Sequence, residues 1–243
     1  MNDLKDIKIL KFDTLSSTNL YLKDNYPHLD DKTVVVANHQ TAGRGRLGRT
    51  WTDSDDLLFS ILLKNNLNEK VSSLSLLICA SLFKTLKRYF NDVKIKWPND
   101  ILVNNKKILG ILLEAITNSK IDCVIIGIGI NVNNRNFTDD LIMKATSFSL
   151  ETNKSFNKDT LLNEALNDFF HEYDLYIYDK SDYLNICKEN SWLINKIVTI
   201  KADGIRKTAI VKDILNNGNI LLSVDSHDLE LNYGEVTLEE VYK

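Results

Sequence analysis

KWPNDILVNNKKILGILLEAITNSKIDCVIIGIGINV, residues 96–132, decides the fold. ILVNNKKILGILLEAI reads as a hairpin turning at Asn104–Asn105, because asparagine tolerates the positive φ that a tight turn needs. VKIKWPND before it ends a strand, and CVIIGIGINV after it is a buried strand. Strands that follow one another without an intervening helix are not βαβ units. GIGIN at 127–131 lacks the third glycine of a dinucleotide-binding fingerprint, and no clear helix follows it. Its glycines are expected to let another group pack close to a buried strand.

Working outward, IKILKFD (7–13), TVVVANH (33–39) and DLLFSILLK (56–64) read as strands. SSTNLYLKDNY (16–26) reads as a helix capped by Ser17 or Thr18, with Leu20, Leu22 and Tyr26 on its apolar face. VSSLSLLICASLFKTLKRYF (71–90) and KDTLLNEALNDFFHEYDLYIY (158–178) repeat apolar residues at helical spacing, the second through Leu162, Leu166, Phe169, Phe170 and Tyr173. Stretches 133–140 and 151–158 read as loops. After about residue 195 short strands alternate with DG, NNG and YG turns, the pattern of a small all-β barrel. The expected organisation is a mixed α+β sheet with flanking helices over 1–193 and a small barrel over 194–243.

The 243 residues carry a formal charge of −3 and are 44% apolar, which suits a globular protein with a real core. Nucleic acid and anionic membrane are disfavoured as partners, so anion binding must be local. The apolar runs fall short of the roughly 20 residues that span a bilayer. The acidic start MNDLKDIKIL does not resemble a signal peptide, so the cytosol is the expected location. Cys79, Cys123 and Cys187 are scattered, as reduced core thiols are, and the four histidines show no paired metal-ligand spacing.

Three stretches bear chemistry. QTAGRGRLGRTW (40–51) interleaves Gly43, Gly45 and Gly48 with Arg44, Arg46 and Arg49, half of the six arginines. Glycine lets backbone N–H groups approach a ligand, and arginine brings a permanent charge shaped for phosphate and carboxylate. The loop is either an anion clamp or a solvated basic connector. It is no P-loop, since GxxxxGK[ST] is absent. KWPND fixes a turn through Pro98 that presents Asn99 and Asp100, either as an Asx turn or as a carboxylate facing Mg²⁺ held by nucleotide phosphates. In KKILGILLE (106–114), alternation sends one of Lys106 and Lys107 to solvent and leaves the other free to face a cleft. Asn131 closes its strand as a candidate amide contact. No GxSxG elbow, cysteine–histidine pairing or acid pair appears.

In this order, STN at 17–19, QTAGRGRLGRTW, KWPND, KKILGILLE and GIGINV together resemble the biotin protein ligase family, biotin–[acetyl-CoA-carboxylase] ligase. The chain starts one strand before STN and so resembles the monofunctional form, without an N-terminal DNA-binding repressor domain. The resemblance implies a catalytic core like that of class II aminoacyl-tRNA synthetases with an SH3-like barrel appended. It implies ATP and Mg²⁺, biotin as substrate, and a biotin carboxyl carrier protein as acceptor. It also implies a possible homodimer, since relatives often pair through a sheet edge. Ser17, Thr18, Asn19, Gln40, Gly43, Arg44, Gly45, Arg46 and Trp51 are implied around biotin, with Lys107 at the reacting carboxylate. Arg46, Asn99, Asp100, Lys107 and Asn131 are implied at ATP, with Asp100 nearest Mg²⁺ and with Arg46 and Lys107 catalytic. One departure stands out: relatives carry a basic residue after the tail's Gly-Glu-x-x-Leu, whereas here Glu239 follows Leu238. The tail is therefore given no site residue. A lipoate–protein ligase, a single-stranded nucleic-acid binder and a non-catalytic biotin sensor are the rival readings.

Overall fold

A computed structural model describes residues 7–51, 54–65, 71, 73–202, 205–232 and 237–240, with backbone alone for 201, 202, 205 and 237–240. Strands β1 (Ile9–Leu15), β2 (Val34–Gln40), β3 (Leu57–Leu63), β4 (Val93–Lys96), β5 (Asp100–Val103), β6 (Lys106–Thr117) and β7 (Ile121–Ile130) form one sheet, ordered β1-β2-β3-β7-β6-β5-β4. Only β1 and β2 run parallel, joined through helix α1 (Thr18–Asn25); the remaining pairs are antiparallel. The sheet is therefore mixed, as the run 96–132 implies. Its hairpin turns where expected, with Asn104 at φ 48° and Asn105 at φ 63°.

Period-two alternation divides the sheet into two faces. Leu57, Phe59, Ile61 and Leu63 of β3 join Val34, Val36, Val124, Ile126, Ile128 and Ile130 in the main core. Val35, Leu62, Cys123 and Ile125 pack on the other face against Leu22 of α1. Helix α2 (Leu74–Lys87) is buried on nearly every side, between the sheet and helices α4 (Lys158–Ile177) and α5 (Tyr183–Glu189). That position suits its near-continuous apolar sequence. The expected face of α4, Leu162 through Tyr173, is buried in the same core.

Two expectations change, and a third is met in part. On α1 only Leu22 of the expected apolar face is buried, and Thr18 and Asn19 share its place. The first turn of this helix faces a polar site, so its inward residues are polar. Short helices α3 (Phe148–Thr152) and α5 lie where no helix is expected, since one or two turns are too brief to display a period. The C-terminal strands β8 (Ile197–Ala202), β9 (Ile205–Ile214), β10 (Ile220–Val224), β11 (His227–Leu231) and β12 (Thr237–Glu240) form an antiparallel sheet ordered β11-β10-β9-β8-β12. Among the described residues no pairing of β11 with β12 closes it into the expected barrel. Residues 233–236 and the side chain of Glu239 lie outside the described residues. Val198, Ile200, Val211, Ile214 and Ile220 of this sheet are continuous with the main core. Among the described residues no helix is long and apolar enough to cross a membrane.

Candidate active site

Directly opposed residues of an antiparallel pair share a face. The registers therefore align Lys96, Asp100, Gly110, Gly129 and Leu58 in one row across β4, β5, β6, β7 and β3, on the side of α1. A second row runs through Leu112, Gly127 and Ser60. The glycines make a trough. A methyl at Gly129 would lie 2.7 Å from the Trp51 ring, one at Gly127 2.2 Å from Asn19 Oδ1, and one at Gly110 2.9 Å from Trp51 and Lys107. The close packing expected at GIGIN is thus made by the Trp51 indole and the Asn19 amide.

Asn19 is held on three sides. Its amide donates to Glu114 Oε2 (2.8 Å) and more weakly to the Leu112 carbonyl (3.4 Å). The Ser60 hydroxyl lies 2.6 Å from both Asn19 Oδ1 and Thr18 Oγ1, its single proton shared between them. The Thr18 backbone N–H and hydroxyl both donate to Gln40 Oε1, at 2.7 and 3.1 Å. Ser17 caps α1 by accepting from the Leu20 N–H (3.5 Å). Ser17, Thr18, Asn19 and Ser60 are all buried. Ser60 and Glu114 were not singled out in the sequence. The signal was there: Ser60 is the one polar residue inside the apolar run LLFSILL.

The arginine loop folds back on itself. The Gly45 N–H donates to the Arg49 carbonyl (2.7 Å), the Trp51 N–H donates to the Gly43 carbonyl (3.0 Å), and Arg44 bridges Thr50. A short 3₁₀ turn, Arg46–Gly48, forms its tip, with Gly48 at φ 73°. Arg44 reaches Glu114 (3.5 Å), and Arg46 Nη1 donates to Asn99 Oδ1 (3.0 Å). Asn99 is itself fixed to Ile111, donating to its carbonyl (2.7 Å) and accepting its N–H (2.9 Å). Behind that turn the Ser75 hydroxyl donates to the Pro98 carbonyl (2.8 Å), and buried Trp97 donates to the Gly218 carbonyl of the C-terminal sheet (3.0 Å).

Lys107 is the lysine that faces the cleft. Its ammonium lies 2.8 Å from Asp100 Oδ1 and 5.5 Å from the centre of the Trp51 ring, while half-buried Lys106 turns instead to the Ile142 carbonyl. Asn131 stands behind Lys107: its amide donates to the carbonyls of Thr146 (2.9 Å) and Lys107 (3.3 Å). It braces the strand and the following loop. Lys96, next to Asp100 in the row, was also not singled out. Burial pushes its ammonium down to about 8; Asp100 opposes the shift, while Lys107, Arg49 and Lys196 reinforce it. Among the described residues no group of three metal-ligating side chains occurs. One carboxylate, Asp100, suits a Mg²⁺ that arrives on nucleotide phosphates better than a resident ion.

The structure thus brings Thr18, Asn19, Gln40, Trp51, Asn99, Asp100, Lys107 and the arginine loop to one face of the sheet. Such a site has an apolar, polar-tipped trough at one end and a cationic end beside Asp100. Residues 11–131 match the biotin/lipoate A/B protein ligase family. The bifunctional ligase/repressor BirA of Bacillus subtilis is 34% identical over 180 residues, covering 70% of this chain and 54% of that protein. BirA of Escherichia coli is 27% identical over 236 residues, covering 94% of this chain and 73% of its own length. The chain spans about half the length of the two Bacillus proteins it matches. The structure of the biotin protein ligase of Aquifex aeolicus in complex with biotin and ATP superimposes with a TM-score of 0.81 at 26% identity, covering 96% of this chain and 99% of that one. Sequence and architecture agree that the chain belongs to the biotin/lipoate A/B protein ligase family.

Proposed function

We propose that the protein is an ATP-dependent biotin protein ligase. In the first half-reaction a biotin carboxylate oxygen attacks the α-phosphorus of ATP. The new P–O bond forms as the bond to the β-phosphate bridge breaks, giving biotinyl-5′-adenylate and pyrophosphate. In the second, the amine of an acceptor lysine on a biotin carboxyl carrier protein attacks the acyl carbon. A C–N bond forms, the C–O bond to AMP breaks, and the amine sheds its proton.

The supporting observation is the meeting of a glycine trough under Trp51 with Lys107, Arg46 and Asp100 at its end. A carboxylate is already a nucleophile, so the barrier is chiefly repulsion between two anions. Lys107 supplies a cation where carboxylate and α-phosphate would meet, and Arg46 adds a second from the loop. Thr18, Asn19 and Gln40 offer fixed polar groups for the biotin ring, and the folded loop with Trp51 restricts water around a hydrolysable anhydride. Mg²⁺, when bound, would neutralise phosphate charge near Asp100. Residues 1–193 are proposed as the catalytic unit and 194–243 as an SH3-like barrel. Cytoplasmic location and a homodimer are part of the same proposal; β1 ends the sheet, whereas β4 is bridged by Ser191.

Biotin-dependent exchange of labelled pyrophosphate into ATP tests this reading, with lipoate as the control. Exchange with biotin and none with lipoate is expected; no exchange with biotin refutes it. Lys107→Ala or Arg46→Ala should lower exchange by about 10²–10³, the usual loss for one electrostatic donor in a dry site.

A further inference from the structure

Glu114 of β6 joins two elements that lie far apart in the chain. It follows Gly110 and Leu112 on the trough face, opposite Ile125, so its carboxylate points to the side of α1. Roughly 14 Å of strand separates it from Gly110, where Trp51 and Lys107 lie, which puts it at the other end of the trough. Its two oxygens divide. Oε2 accepts from Asn19 Nδ2 of α1 at 2.8 Å, and Oε1 faces the Arg44 guanidinium of the loop at 3.5 Å. The side chain is 22% exposed, so water and salt screen these contacts less than they would on an open surface.

Each oxygen constrains its partner. An amide can be placed either way round, but the Glu114 carboxylate and the Leu112 carbonyl only accept. The Asn19 nitrogen must therefore face them, and its Oδ1 must face Ser60. The Leu112 contact is long at 3.4 Å, so Glu114 carries most of this constraint. Arg44 is tied into the loop by its bridge to Thr50, next to the bond from the Trp51 N–H to the Gly43 carbonyl. Holding Arg44 thus holds the segment from which the Trp51 indole covers Gly110 and Gly129.

Resting on the ligase reading, we propose that Glu114 is a positioning residue for biotin: one oxygen sets the polarity of the Asn19 amide, and the other clasps the arginine loop over the trough. It touches no reacting atom and acts through Asn19 and Arg44. Glutamine separates the two duties. Its amide oxygen still accepts from Asn19, whereas its NH₂ meets Arg44 donor against donor. Methionine keeps the stem and loses both contacts.

The experiment uses the full chain and two readouts. Tryptic cleavage of the ligand-free protein after Arg46 and Arg49, followed by mass spectrometry, reads loop opening against cleavage after Arg88 in the folded body. Calorimetric titration with biotin reads the trough. Glu114→Gln should be cut in the loop about 2- to 5-fold faster than wild type, with cleavage after Arg88 unchanged and biotin affinity within about 5-fold. Arg44→Gln should match that cleavage, and the double variant should be cut no faster than either. Glu114→Met should be cut equally fast and bind biotin about 10-fold or more weakly than Glu114→Gln. A merely structural role would raise cleavage after Arg88 as well and would weaken biotin binding equally in both Glu114 variants. That pattern overturns the proposal, as does wild-type loop cleavage in Glu114→Gln, additive acceleration in the double variant, or wild-type biotin affinity in Glu114→Met. A wild type that binds no biotin would refute the ligase reading, and the cleavage rates would still decide the clasp.

Discussion

Gly127→Ala puts the glycine trough to its sharpest test. The added methyl would sit 2.2 Å from Asn19 Oδ1 and 2.9 Å from its Cγ. Asn19 cannot easily yield, because Ser60, Glu114 and the Leu112 carbonyl hold its amide and the buried first turn of α1 holds its backbone. Overpacking of this kind costs about 1–3 kcal/mol. Pushing the amide off the Glu114 carboxylate gives up a charge-assisted bond worth about 1.5–3 kcal/mol, part of which is the same strain counted once. A net loss of about 2–4 kcal/mol lowers the melting temperature by roughly 6–12 °C in a chain of this size. Thermal unfolding followed by circular dichroism, with and without biotin, reads both the loss of stability and the loss of the biotin-induced shift. Asn19→Ala in the same chain should remove the clash and restore part of the stability without restoring biotin binding. A Gly127→Ala protein melting within about 1 °C of wild type, with an intact biotin shift, would refute the argument that Asn19 is locked over this strand.

Three further substitutions probe the packing. Trp97→Phe removes the donor to the buried Gly218 carbonyl and should cost about 1–3 kcal/mol in urea unfolding. Because Trp97 precedes Asn99 and Asp100, it should also raise the KM for ATP more than that for biotin; equal effects would remove the C-terminal sheet from nucleotide positioning. Lys84→Ala should destabilise by about 3 kcal/mol, since among the described residues it leaves the buried Glu172 carboxylate with the Ser181 hydroxyl as its remaining partner. Lys11→Ala, which breaks an exposed pair with Asp159, should cost under about 1 kcal/mol in the same assay.

Much of this was legible in the chain. The Asn104–Asn105 turn, the apolar runs of β3 and β7 and the periods of α2 and α4 are local signals, set by allowed φ and by side-chain spacing. The need for something to press on Gly127 and Gly129 was legible too, but not what pressed. Alternation left Lys106 and Lys107 equivalent; the β6 register chose Lys107. Ser60 and Glu114 looked like ordinary strand residues until β3, β6 and α1 met around Asn19. Lys96 looked like a strand lysine until cross-strand pairing set it beside Asp100.

The sequence by itself determined the strands and the longer helices, where the chain turns, and which segments carry charge suited to anions. Those properties depend on neighbours a few residues away. Only the tertiary structure decided the strand order, the face each polar side chain shares, and the partners that fix Asn19, Asn99 and Lys107. Many of those contacts join segments tens of residues apart, and a one-residue change of register would send the same side chains to the opposite face.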